Sequence, residues 1–286
     1  MQLGVIANFD KPSAVSALRE VDRLAVKLGI QLVCSPTHKP HLPSALVTDE
    51  DRVAGRAGMI MVLGGDGTML SAARSLQESD IPLIGVNLGK LGFMTSVTEE
   101  RLEEALSFIA QGNYRLSERS RIACRIVRKG AQETSIRALN DVVLGWGSSP
   151  RVATLRVEVN GTMMTTYTCD GIIASTPTGS TGHALSAGGP IIHPETPALL
   201  LTVICPHTLS VRPVVLPDQC TVTIHVEGAK SLLLSVDGRN EPDLNPGDRL
   251  VIRRSKRGIR LVELPGQDYF RVLREKLGWR GSNLPG

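Results

Sequence analysis

The chain has 286 residues, 42% hydrophobic and 21% charged, enough for one large packed domain or two ordinary ones. A net charge of +4 and an aromatic fraction of 3% exclude the concentrated basic stripe and stacking rings of a nucleic-acid binder. Five cysteines without a CxxC pair speak against a disulfide framework or a zinc site, no stretch approaches 18 apolar residues, and MQLGVIANFD lacks a leader pattern. The expectation is a reduced, cytoplasmic protein with no membrane partner.

Residues 2–7 read as a short buried strand. After Pro12, Val15, Leu18, Val21, Leu24, Ala25 and Leu28 recur at helical spacing, and Gly29 supplies a stop. Residues 31–35 are strand-like again, and Met59–Leu63 is a continuous apolar run, as a parallel strand covered on both faces requires. Met69, Leu70, Ala73 and Leu76 then line one helical face, and residues 81–86 form the next strand. This alternation indicates a Rossmann-like, doubly wound α/β domain over residues 1–118.

From about Arg121 the period becomes two. In ATLRVEVNG, Leu155, Val157 and Val159 alternate with Arg156 and Glu158, and Asn160-Gly161 provides a type I′ hairpin turn. Val222, Ile224 and Val226 repeat the pattern, as do Leu250 and Ile252, so residues 119–267 are expected to form an all-β, sandwich-like domain. The basic run Arg253, Arg254, Lys256 and Arg257 reads as a solvated hairpin. In YFRVLREKLGW, Phe270, Leu273 and Leu277 share a face, so 268–286 is expected to complete the first domain with a returning helix.

Two loops carry candidate chemistry. The apolar run ends in GGDGT: Gly64, Gly65, Asp66, Gly67 and Thr68. Its glycines allow close approach of a phosphate or ribose, the following helix start favours negative charge, and Thr68 is placed to cap it. The GxxxxGK pattern of a P-loop is absent. A lone carboxylate there suits an acceptor facing a hydroxyl, or simply an Asp-Gly turn. The second loop, STPTGST, places Ser175, Thr176, Thr178, Ser180 and Thr181 around Pro177 and Gly179, a dense set of hydroxyl and amide donors. No histidine has a metal-ligand partner at helical or hairpin spacing, so no protein-held metal is expected.

GGDGT at 64–68, NLGKLGF at 87–93, Asn140-Asp141, STPTGST at 175–181 and ICPHTLS at 204–210 occur in order, and together they resemble the NAD kinase family. The resemblance spans nearly the whole chain. It implies ATP-dependent phosphorylation of the adenosine 2′-hydroxyl of NAD, with Asp66 as proton acceptor and Mg²⁺, or another divalent cation, arriving with ATP. It implies substrate contacts at Gly67, Asn87, Asn140, Asp141, Asp170, Ser175, Thr178 and the segment Thr181, Gly182, His183, Ala184, Leu185 and Ser186. Cys205 corresponds to a position lining the site across a subunit contact, which implies a homodimer or homotetramer. The chain departs from the pattern at His183, where relatives often carry Tyr, at Arg239 in SVDGR, where many have Gln, and at Thr168, where some have Arg. Arg151, Arg212 and Arg239 are candidate phosphate partners. NAD against NADH, and ATP against polyphosphate, stay open. A kinase of another alcohol built on the same GGDGT loop, and a non-catalytic NAD(H) sensor, are the alternatives.

Overall fold

The computed structural model describes residues 1–76, 79–95, 97–128, 134–146, 152–228 and 231–279. The chain forms two units: Met1–Glu118 with Ile259–Gly286, and Arg119–Gly258.

In the first unit the sheet order is Leu46–Val47, Gln31–Cys34, Gln2–Ala7, Met59–Gly64, Leu83–Asn87, Ile259–Glu263 and Arg115–Arg119, with Val97–Thr98 paired beside Leu83–Asn87. Neighbours from Leu46–Val47 to Ile259–Glu263 run parallel. Alternation along the strands feeds two faces. Leu3, Val5, Met59, Met61 and Leu63 join a core with Leu18, Val21 and Leu24 of the helix Ala14–Leu28 and with Leu106 and Ile109 of Leu102–Ala110. Each such side chain, withdrawn from water, contributes about 2 kcal/mol. On the other face, a side chain at Gly4 would meet Val53 and Ala57, and one at Gly85 would meet Met69. Helices on both faces make the layer doubly wound. The helix Ala14–Leu28 stops where Gly29 turns left-handed at φ 67°.

The second unit is two six-stranded antiparallel sheets. One holds Asp141–Trp146, flanked by Gly171–Ser175 and Leu232–Val236; the other holds Ala153–Val159 beside Val222–Val226. The expected inward set, Leu155, Val157, Val222, Ile224, Val226, Leu250 and Ile252, packs against Val142, Leu144, Ile172, Leu234 and Val236. This is the sandwich that the period of two requires. Asn160 and Gly161 take the positive φ of a type I′ turn, 53° and 78°.

Three local readings change. Arg249–Arg254 and Ile259–Glu263 do not form a hairpin: the first pairs in the sandwich and the second joins the parallel sheet beside Leu83. The chain therefore returns to the first unit at Ile259, not at 268, and Ser255–Gly258 is the connector. Within the basic run, Arg254 is paired with the nearly buried Asp218 at 2.7 Å. In the last helix, Tyr269–Leu277, only Leu273 is buried; Phe270 is 58% exposed, and Lys276 lies 5.8 Å from the Phe93 ring.

Candidate active site

In the first unit the strand order reverses between Gln2–Ala7 and Met59–Gly64, the switch point at which open α/β sheets bind ligands beyond their carboxyl ends. A cavity of about 700 Å³ lies there, lined by Ala7, Asn8, Glu50, Asp51, Gly67 and Thr68 among others. The end of the first strand is fixed by His38, a buried residue whose Nε2 accepts the Ala7 N–H at 3.0 Å. Its Nδ1 therefore carries the proton and donates to Ser35 Oγ at 2.7 Å, leaving the ring neutral. Burial holds its pKa below the ordinary histidine value.

Thr68 is not the cap of the helix that follows the glycine loop. Gly65 occupies that position, Asp66 is the first residue of the helix Asp66–Ser75, and the Gly65 carbonyl accepts the Thr68 and Met69 amides. Thr68 Oγ1 instead accepts the Gly65 N–H at 3.4 Å. The change puts a carboxylate into the first helical turn, where the exposed amides favour it. Asp66 accepts the Phe93 N–H at 2.8 Å, the Met94 N–H at 3.0 Å and the Thr95 hydroxyl at 3.4 Å. Gly92 makes this approach possible, because a Cβ there would overlap the Asp66 carboxylate. Asn87, paired with Gly64 across the sheet, is buried with its Nδ2 unpartnered.

In the second unit Asn140 and Asp141 open the central strand of one sheet. Asp141 is 2% exposed, and burial raises its carboxyl pKa. His183 opposes that rise, with its Nδ1 3.3 Å from Asp141 Oδ2 and its backbone N–H also directed to the carboxylate. Gly182 lies against the pair, and a Cβ at Gly179 would overlap the Asn140 backbone. Asn140 Oδ1 and Thr178 Oγ1 are buried without a protein partner. Such atoms cost about 1–3 kcal/mol each when left unmade, and in this unit two of them stand on residues of the sequence motifs, Asn140 and Thr178.

The other hydroxyls of STPTGST do not form the open donor cradle the composition suggested. Ser175 donates to the Thr176 and Asn140 carbonyls, Thr176 to Leu139, Ser180 to Pro177 and Ile192, and Thr181 to Thr178. These bonds build the loop itself. Ala184 packs into a small core with Ile173 and Leu200, Leu185 is half-buried and Ser186 is exposed.

Asp170 and Cys205 form a separate group. They line a cavity of about 360 Å³ with Val143, Gly145, Ile204, Leu233 and Ser235. The Cys205 thiol bonds to Asp170, which raises its pKa, and Cys205 takes a positive φ of 45°. Asp141 pairs with Ser175, whereas Gly145 pairs with Gly171 at the other end of the strand, so the two groups are about 14 Å apart along the sheet. Thr168 and Arg239 are exposed, and Arg212 donates to the Leu209 and Val211 carbonyls nearby in its own chain segment. Arg151 lies outside the described residues.

Sequence reasoning missed Thr95, the backbone-holding role of Thr176, Asp237 and His38. The first two stand inside or beside motifs already singled out. Asp237 carried a signal only as the first residue of an Asp-Gly turn, and His38 carried none.

Residues 3–114 match the family profile described as ATP-NAD kinase N-terminal domain, and residues 139–264 match the ATP-NAD kinase C-terminal domain. The chain is 46% identical to an NAD kinase of Geobacter metallireducens over 84% of either chain. It is 38% identical to an NAD kinase of Geotalea daltonii over 97% of this chain and 98% of that one. A solved yeast NADH kinase complexed with NADH superposes with a TM-score of 0.91 at 27% identity, covering 99% of this chain and 89% of that one. An Archaeoglobus fulgidus NAD kinase shares the fold, with a TM-score of 0.76 at 20% identity over 98% and 100% of the two chains.

Proposed function

The chain belongs to the NAD kinase family, and from that premise we infer how its residues divide the reaction. It is an ATP-dependent phosphotransferase that phosphorylates NAD to NADP. Lipid or sugar phosphorylation and a purely sensory role are not favoured, because relatives matching almost the full chain are NAD kinases.

We propose that Asp66 receives the proton of the adenosine 2′-hydroxyl. A carboxylate offers about four lone-pair positions. Phe93, Met94 and Thr95 occupy three, which fixes the group and leaves one for the hydroxyl. Aspartate is too weak a base to ionise a ribose hydroxyl in advance; it orients the nucleophile and takes the proton as charge develops in a loose transition state. Positioning then carries most of the rate. Asn140, Asp141 and Thr178 hold the dinucleotide, and the single observation that carries this reading is the pair of buried polar atoms on Asn140 and Thr178 that the protein leaves unmet.

The phosphoryl donor is assigned to the cavity at the switch point. Mg²⁺ is commonly held by substrate phosphates and one or two carboxylates, and Glu50 and Asp51, which line that cavity with Gly67 and Thr68, fit the requirement. Bound there with ATP, the cation would neutralise phosphoryl oxygens. The separation of Asp170 and Cys205 from Asp141 fits a homodimer or homotetramer in which each subunit lends that pair to its neighbour. We place the enzyme in the cytoplasm, as the sequence led us to expect; among the described residues no helix is long and apolar enough to cross a membrane.

The test is direct. Purified protein incubated with NAD, ATP and Mg²⁺ should form NADP phosphorylated at the adenosine 2′-oxygen, in step with ADP. NAD binding without product would overturn the catalytic reading.

A further inference from the structure

We propose that Asp237 is a positioning residue whose carboxylate clamps the peptide carrying Asn140 and Asp141, so that NAD affinity depends on a side chain that does not touch NAD. The inference rests on the reading of those two residues as dinucleotide contacts.

Asp237 follows the strand Leu232–Val236 and begins a tight turn with Gly238; both have positive φ, 48° and 76°. From there its carboxylate accepts three consecutive amides: Leu139 at 2.8 Å, Asn140 at 2.8 Å and Asp141 at 3.1 Å. Its own N–H donates to the Asp141 carbonyl at 3.0 Å. The opposite side of the same peptide is held by the second loop. The Thr176 hydroxyl donates to the Leu139 carbonyl at 2.6 Å, and the Thr176 N–H to the Asn140 carbonyl at 2.9 Å. Every backbone donor and acceptor of residues 139–141 is thereby used by Asp237 or Thr176.

Three amides converging on one point form a nest that demands an anion. Asp237 is that anion, supplied from within the chain. It leaves the 139–141 backbone no second arrangement, and it delivers Asn140 Oδ1 and the Asp141 carboxylate in fixed directions. An asparagine fits the left-handed turn and its oxygen can still accept the Asn140 and Asp141 amides, but its NH₂ group faces the Leu139 N–H, so Asp237→Asn turns one arm of the clamp against a donor while keeping the turn.

The experiment compares full-length Asp237→Asn, Thr176→Val and Asp141→Asn with the unaltered enzyme, measuring KM for NAD, KM for ATP and kcat separately. Charge-assisted bonds of this kind are worth about 10- to 100-fold in affinity. Asp237→Asn should raise KM for NAD at least about 10-fold with KM for ATP and kcat within about threefold. Thr176→Val, which loosens only the carbonyl side, should raise KM for NAD about three- to fivefold, and it carries the test alone if Asp237→Asn does not fold. If Asp141→Asn raises KM for NAD while both clamp variants leave it within twofold, or shift both KM values equally, the clamp is wrong. If Asp141→Asn itself leaves KM for NAD unchanged, the underlying assignment of the dinucleotide contacts fails instead.

Discussion

Asp66 and Asp141 each open an element, a helix and a strand, yet their surroundings are opposite. Asp66 in the parallel-sheet unit receives two amides and a hydroxyl from residues 93–95. Asp141 in the sandwich is nearly inaccessible, has His183 beside it, and is pushed toward its neutral form by burial. One carboxylate is anchored by backbone amides and a hydroxyl of its own unit. The other is withdrawn from water and met by His183 through both its ring and its backbone N–H. The contrast teaches that the proposed proton acceptor is held in place by several donors, whereas the proposed binding carboxylate is defined by its burial.

Gly92→Ala would break the first half of this contrast most severely. The added methyl falls on the Asp66 carboxylate and the Thr95 hydroxyl, so Asp66 must move. A displacement of about 1 Å costs about 100-fold in rate, so kcat should drop by that factor with KM for NAD nearly unchanged, as steady-state kinetics would report.

Asp141→Asn sharpens the second half. Removing a buried charge should raise the melting temperature of the ligand-free protein by about 2 °C at pH 7, while KM for NAD rises about tenfold. Because burial raises the native pKa of Asp141, the stabilising effect should vanish below the ordinary carboxylate pKa, where both states are protonated. Calorimetry at pH 7 and pH 3.5 would measure it.

The smallest effect concerns His38, the neutral acceptor at the other end of the first-unit site. Its native pKa is depressed, so below about pH 6.5 the unfolded chain takes a proton that the folded ring refuses. Stability should therefore be retained above that pH and lost as pH falls, with a slope of at most about 1.4 kcal/mol per pH unit. His38→Gln, which can still accept the Ala7 N–H, should flatten that slope in denaturant titrations between pH 5 and 7.

Much of this was legible in the sequence. Alternation around Leu155 and Val157, the Asn160-Gly161 turn and the apolar run before GGDGT state the two architectures, because period and turn chemistry are local properties. The fate of Ile259–Glu263 is not local. Its alternation is the same as that of Leu250 and Ile252, and only tertiary pairing decides that it completes a parallel sheet. The hydroxyls of STPTGST misled for a related reason: their types announce donors, but whether they face carbonyls or solvent depends on the loop's path. Asp237 was hidden because an Asp-Gly pair explains itself as a turn, and His38 because its partner, the Ala7 amide, is 31 residues away.

The measurement that bears most directly on the division of labour is Asp66→Asn, assayed for NADP formation and, by calorimetry, for NAD binding. Turnover should fall at least about 1,000-fold while the NAD dissociation constant stays within about threefold. Turnover within tenfold of the unaltered enzyme would contradict the assignment of Asp66 as the group that receives the 2′-hydroxyl proton.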